Sequence, residues 1–185
     1  RVLERDENHV GALAALARNT IAYADDIEES AARIGVGTTK LQEWTFAAKQ
    51  TGAGIELLTR FIEQLTDAAT DPKKNKALQK LGINAAGMTP EQLFSAVTQF
   101  TKGKSATEIR SSLGDIVSDR QLGRMMNLLQ SDLDDLGKSA HDIGAVMDTE
   151  TLHALATLND QFSIISQVLY TQFGPAILET SKFLL

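Results

Sequence analysis

The chain has 185 residues, and its 24 acidic and 18 basic side chains give it a formal net charge of −6 at pH 7. It contains no cysteine, which excludes a disulfide scaffold, thiolate catalysis and a zinc site built on cysteine. The negative charge argues against a general nucleic-acid binder, because such proteins need a basic face that displaces the counterions of phosphates.

The two ends of the sequence indicate a longer parent. The chain begins with Arg1 instead of methionine and closes on the apolar run Phe183-Leu184-Leu185, as if cut within a helix. Residues 1–15 lack the continuous apolar core of a signal peptide. We therefore expect a piece of a longer polypeptide, or its ordered part.

Helix-forming residues dominate the sequence, and the few glycines and prolines fall where helices would begin or end. The first predicted helix covers about residues 10–34, where apolar side chains recur every three to five positions, and Gly35 and Gly37 end it. No Asn-Gly or Asp-Gly turn separates two apolar runs, so the sequence gives no sign of a β-hairpin. The predicted fold class is all-α.

Hydroxyl side chains mark the starts of several short helices in the middle of the chain. A Ser or Thr followed three residues later by Gln or Glu is typical of a capping box, in which both side chains bind backbone N–H groups. Helices are also predicted at about 53–69 and 73–81, separated by Asp71-Pro72, with a loop at 83–88. The predicted helix caps are Thr39, Thr89 and Ser105, and Ser118 opens a further helix.

A long helix is predicted from Thr149 to Leu185. Its apolar residues recur in steps of three and four, near the heptad pattern of coiled coils, and form a seam on one face. Gly174-Pro175 should kink or break this helix. The predicted parts are an N-terminal helix (1–36), a compact multi-helix region (37–146) and an oligomerisation helix (147–185). The predicted self-association residues are Leu155, Leu158, Phe162, Ile165, Leu169, Phe173 and Ile177.

The sequence offers no constellation that would carry catalysis. His9, His141 and His153 are not spaced as metal ligands, and neither a nucleophile elbow nor a phosphate-binding glycine loop is present. The acidic cluster at 132–135 does not match a calcium loop and is interpreted as negative charge near a helix N-terminus. We predict no enzymatic activity, no cofactor, and no catalytic, cofactor-binding or metal-binding residue.

Residues 34–52 leave one alternative open, because they have the form of the second half of a helix-turn-helix. A DNA-reading helix needs basic and amide side chains on its exposed face. This stretch supplies Lys40, Gln42, Lys49 and Gln50, but also Glu43, in an acidic chain. The alternative function is a helical DNA-binding or regulatory module.

Residues 161–178 raise a second question, since they contain no charged side chain. A membrane-spanning helix needs about this length. Serine, threonine and glutamine interrupt the stretch, however, and Gly174-Pro175 lies near its end. A helix whose apolar stripe meets copies of itself or a neighbouring wall is favoured over a stable membrane span.

Three segments together resemble the tape measure proteins of long-tailed phages and prophages. Residues 32–52 read ARIGVGTTKLQEWTFAAKQTG, similar to a unit with a capped Leu-Gln-x-Trp-x-x-Ala-Ala helix. Residues 78–97 resemble the Leu-x-x-Leu-Gly-Ile unit that follows it, and residues 128–165 resemble the stretch that leads into a long helix carrying Asn-Asp. The chain departs from the family at 112–117, where a Phe-Gly-(Arg/Lys)-x-Gly element is missing.

The resemblance implies a virion structural protein that sets tail length and takes part in genome delivery. It implies a location in the lumen or tip of the phage tail, after synthesis in the host cytoplasm. The expected partners are further copies of the chain, with a trimer favoured, and the tail tube and distal tail or baseplate proteins. Transient contact with the host membrane is also expected, and specific binding to nucleic acid is not.

Overall fold

The computed structural model describes the backbone from Val2 to Lys182, and the side chains of residues 13–168 and of Thr171. Every regular element in this part of the chain is a helix, so the predicted all-α class is confirmed. The helices are α1 (Val2–Ile34), α2 (Thr38–Gln50), α3 (Ile55–Thr70), α4 (Pro72–Lys80), α5 (Pro90–Thr101), α6 (Ala106–Leu113), α7 (Asp119–Gln130), α8 (Leu133–Asp142) and α9 (Thr149–Lys182).

The helices form two compact units. The first unit comprises Arg1–Glu28 and Thr149–Leu185, and the second comprises Glu29–Asp148. Helix α1 therefore contributes to both, because its last turn and a half belong to the second unit. That turn ends at Gly35, whose φ of +70° is a backbone conformation that glycine adopts at little cost.

The core of the second unit forms around α3 and α5. Helix α3 buries Leu58, Phe61, Ile62 and Leu65, which follow the three- and four-residue steps of one helix face. The ring of Phe94 on α5 meets Phe61 edge-on, with 6.1 Å between ring centroids. Each such side chain stabilises the fold by about 1.5–3 kcal/mol when it leaves water, so these helices anchor the unit.

Two of the three predicted caps are confirmed. The hydroxyl of Thr89 accepts a hydrogen bond from the backbone N–H of Gln92 at 3.2 Å, and the Gln92 amide oxygen accepts one from the Thr89 N–H at 2.9 Å. Ser105 and Glu108 form the same reciprocal box at the start of α6. The acidic cluster also behaves as predicted, since Asp132 is the N-cap of α8.

The predicted cap at Thr39 is wrong. Helix α2 begins at Thr38, its N-cap is Gly37, and no side chain caps it. The box fails because Gln42, which would complete it, binds the backbone of Met147 instead. Ser118 does precede α7 but makes no capping hydrogen bond.

Candidate self-association surface

In the first unit, two side-chain hydrogen bonds join α1 and α9. The imidazole Nδ1 of His153 lies 2.6 Å from a carboxylate oxygen of Glu28, and the amide of Asn159 donates to Asp25 at 2.7 Å. As α9 advances from residue 153 to 159, its partner on α1 moves back from 28 to 25. The two helix directions are therefore opposite.

Among the described side chains of this pair, full apolar burial is limited to one end. Ala24 and Ile27 on α1 are buried, as are Leu152 and Ala156 on α9. Farther along both helices the large apolar side chains lie in solvent. These exposed residues are Leu13 and Leu16 on α1, and Leu158, Phe162, Ile164, Ile165 and Val168 on α9.

Part of the predicted seam falls on this exposed surface. Leu155 is half-buried, whereas Phe162 and Ile165 are 58% and 55% exposed, and Leu158 is 40% exposed. The side chains of Leu169, Phe173 and Ile177 lie outside the described residues. The backbone of α9 stays helical through residues 174–175, and the kink foreseen there stays a prediction.

A second apolar stripe on α9 was missed by the seam prediction. Ile164 is 61% exposed and Val168 is 47% exposed, and their four-residue spacing places them one above the other on the helix. They lie about 100° around the helix from Ile165 and Leu169, at 3.6 residues per turn. A heptad pattern counts only one residue of an adjacent apolar pair such as Ile164-Ile165, so the prediction omitted the other residue.

The other side of α9 between residues 161 and 178 is polar but carries no charged side chain. A groove of about 630 Å³ is lined by Phe162, Ser163, Ser166, Gln167 and Thr171. The Thr171 hydroxyl donates to the carbonyl of Gln167 within the helix at 2.8 Å. Helices that are apolar on more than one side and lack charges are typical of positions covered by neighbouring protein. We use the name hairpin surface for the exposed apolar residues of the two helices, which are Leu13, Leu16, Leu158, Phe162, Ile164, Ile165 and Val168.

Within the described residues, no helix combines the length and the apolar character that a bilayer crossing requires. Residues 161–178, for which the sequence raised the question of a membrane span, extend beyond the described side chains.

The predicted DNA-reading helix corresponds to α2, and two of its polar side chains are engaged inside the protein. Gln42 is fully buried: its amide nitrogen donates to the carbonyl of Met147 at 3.0 Å, and its oxygen accepts from the Met147 N–H at 2.8 Å. Lys40 binds Glu43 at 2.6 Å. Lys49 and Gln50 remain on the exposed side.

The three segments that carry the family resemblance contact one another in the second unit. Trp44 of the first segment meets Phe94 of the second, with ring centroids 4.5 Å apart and an edge-on geometry. Gln42 joins the first segment to Met147 of the third, and Glu43 binds His141 there. The residues of these motifs therefore act as core and inter-helix contacts.

The histidines and acidic side chains are the possible metal ligands of this chain. Within the described residues, no three His, Asp or Glu side chains converge as metal ligands. His141 and His153 each face a glutamate on another helix, and the side chain of His9 lies outside the described residues. The hairpin surface is thus the feature that most calls for a function.

No protein-family model, no curated protein and no solved structure shows significant similarity to this chain.

Proposed function

We propose that this chain is a structural segment of a phage tail tape measure protein, which sets tail length and takes part in genome delivery. In this proposal it lies in the lumen or tip of the tail and contacts copies of itself, with a trimer favoured. It also contacts the tail tube and the distal tail or baseplate proteins. The observation that carries the proposal is the hairpin surface.

The exposed side chains of α9 supply apolar area that association would remove from water. Fully covering one Leu, Ile, Val or Phe side chain stabilises by about 1.5–3 kcal/mol. The five described on α9 are roughly half exposed, so covering them is worth on the order of 5 kcal/mol per copy. Association must also overcome lost rotational and translational freedom, which favours contact along the full length of α9.

Helix geometry supports the role in tail length. A helix rises 1.5 Å per residue, so the number of residues in an extended helical protein sets a distance. The chain has one unit of short helices and another that contains two long helices. We propose that the compact unit belongs near the tail tip and that α9 provides the contacts between copies.

The first experiment measures self-association of the chain by sedimentation equilibrium. We expect an oligomer that weakens when Phe162→Asp and Ile165→Asp are combined, because a buried charge at either position would oppose contact. The matched control combines Ser163→Asp with Gln167→Glu, which adds the same two charges at exposed polar positions of α9. A chain that is monomeric at all concentrations, or variants that associate like the unmodified chain, would contradict the proposal.

The second experiment concerns the parent gene. A tape measure protein should continue into long Ala- and Leu-rich helical segments, and in-frame deletion of such a segment should shorten the tail by about 1.5 Å per residue removed. Electron microscopy of the particles measures the length. Tails of unchanged length after the deletion would rule out the ruler role while leaving self-association intact.

The alternative function, a helical DNA-binding or regulatory module at residues 34–52, makes an opposite prediction. It requires duplex binding at low salt that falls when Lys40 and Lys49 are neutralised. The engagement of Lys40 and Gln42 within the protein reduces the polar side chains that could reach bases. We expect no binding at low salt, measured by fluorescence anisotropy of a labelled duplex.

A further inference from the structure

Helix α8 is held to the rest of the second unit in an unusual way. It packs on α2 more extensively than on any other helix. Its fully buried residues are Gly137 and Ala140, and Leu133 and Leu136 are partly buried. Helix α3, by contrast, buries four large apolar side chains, so apolar burial holds α8 less firmly than α3.

A charged side chain of α2 supplies the first fastening. One carboxylate oxygen of Glu43 lies 2.9 Å from Nε2 of His141 on α8, and the other lies 2.6 Å from Nζ of Lys40. The Glu43 side chain is only 14% exposed. Gly137 allows this approach, since a Cβ there would lie 3.2 Å from the carboxylate.

The neighbouring residue of α2 supplies the second fastening. Gln42 binds both the N–H and the carbonyl of Met147, in the segment that follows α8. Gln42 and Glu43 therefore hold α8 and the residues after it from two adjacent positions. We define residues 133–147 as the α8 arm.

The charges around Glu43 favour its ionised form. Burial raises the pKa of Glu43, but the hydrogen bonds and charges of Lys40 and His141 lower it by more. The pKa of Glu43 therefore lies below its ordinary value. The groove at this point is also lined by Asp134 and Lys138 of α8. A lowered pKa means that the docked state is stabilised above the ordinary pKa and loses that stability as pH falls through the lowered value.

We propose that the α8 arm is a detachable segment, which leaves α2 in one piece when the Glu43 carboxylate is neutralised while α3, α5 and α7 stay packed. Once released and extended, residues 133–147 could span up to about 50 Å. This proposal does not depend on the proposed function.

The protein contains its own reporter for this motion. Trp44 is the single tryptophan of the chain and is 3% exposed. It lines a cavity of about 110 Å³ together with Leu133 and Asp134, at the first turn of α8. Release of the arm would open this cavity and bring water to the indole.

The experiment compares Glu43→Gln with the unmodified chain at neutral pH. We expect a red-shifted Trp44 emission, a roughly twofold or larger rise in acrylamide quenching, and roughly tenfold faster amide exchange in residues 133–147, because a charge-assisted hydrogen bond is lost. The unmodified chain should reach the same state on acidification, and Glu43→Gln should show little further change. The matched control is Glu28→Gln, which removes the glutamate partner of His153 in the first unit and should leave Trp44 unchanged.

Two results would overturn the proposal. The first is Glu43→Gln with the emission and exchange of the unmodified chain. The second is faster exchange in α3 together with the α8 arm, accompanied by loss of helical circular dichroism, since that would show that the second unit opens as a whole.

A covalent lock provides an independent variant. A Cβ at position 137 would lie 3.6 Å from the Cβ of Glu43, within the range of about 3.5–4.5 Å found in disulfides. Glu43→Cys combined with Gly137→Cys, in a chain without other cysteines, should show an exposed Trp44 when reduced and a buried Trp44 when oxidised, at every pH. Equal exposure in the two redox states would also overturn the proposal.

Discussion

The two units of this protein treat their large apolar side chains in opposite ways. The second unit encloses Phe61 and Phe94 completely, whereas the first leaves Phe162 and Ile164 more than half exposed. The difference teaches that the second unit encloses its large apolar side chains by its own contacts, while the first leaves several of them exposed.

The largest expected effect tests this contrast with one pair of substitutions. Phe94→Ala should reduce the free energy of unfolding of the second unit by about 3–5 kcal/mol, because a buried ring leaves a cavity. Phe162→Ala should change it by less than about 0.5 kcal/mol, since the ring is exposed, but should weaken self-association. Chemical denaturation and sedimentation measure the two quantities. Equal losses of stability would break the comparison between the units.

The next effect concerns polar groups within the second unit. Gln42→Ala should cost about 1–3 kcal/mol, because it leaves the N–H and carbonyl of Met147 without their partner. Gln50→Ala, at the exposed end of the same helix, is the control and should change little. Chemical denaturation monitored by circular dichroism distinguishes them. A negligible effect of Gln42→Ala would mean that water replaces the amide.

Helix caps should give smaller effects. Thr89→Ala and Ser105→Ala should each cost about 1 kcal/mol, as is typical when a capping hydroxyl is removed. Thr39→Ala should cost almost nothing, because its hydroxyl caps no helix. Thermal unfolding of the three variants measures the difference. If Thr39→Ala were as destabilising as the other two, the N-cap assigned to α2 would be wrong.

The smallest expected effect is the pH dependence of stability that Asp71 contributes as the N-cap of α4. Backbone N–H groups of Lys74 and Lys73 hydrogen-bond Asp71 and hold its pKa below the ordinary value. Its capping contribution is therefore complete above the ordinary pKa and is lost as pH falls through the lowered one. Asp71→Asn keeps an acceptor that does not titrate, so its unfolding midpoint should fall less between about pH 5 and pH 2. Identical pH profiles would exclude this role for Asp71.

Local sequence patterns predicted those features that depend on neighbours a few residues apart. Thr89 and Ser105 cap their helices as expected, because both members of each box lie within one turn. The cap predicted at Thr39 does not form, because its predicted partner Gln42 binds the backbone of Met147, 105 residues away. No local pattern contains that information.

The sequence predicted one part of the candidate surface and missed another. The seam through Phe162 and Ile165 followed from their spacing, and its described members beyond Leu155 are exposed. The stripe of Ile164 and Val168 was missed because one seam was assumed for a helix that is apolar on two sides. Runs of adjacent apolar residues, such as Ile164-Ile165, are the signal that could have revealed it.

The antiparallel pairing of α1 and α9 also constrains the order of folding. The hydrogen bond between Asp25 and Asn159 joins residues 134 positions apart, so the first unit closes a loop that contains the whole second unit. Closing a loop costs more entropy as its flexible length grows, and prior folding of residues 29–148 shortens that length. During synthesis the second unit can therefore fold before α9 pairs with α1, because residues 29–148 leave the ribosome ahead of α9.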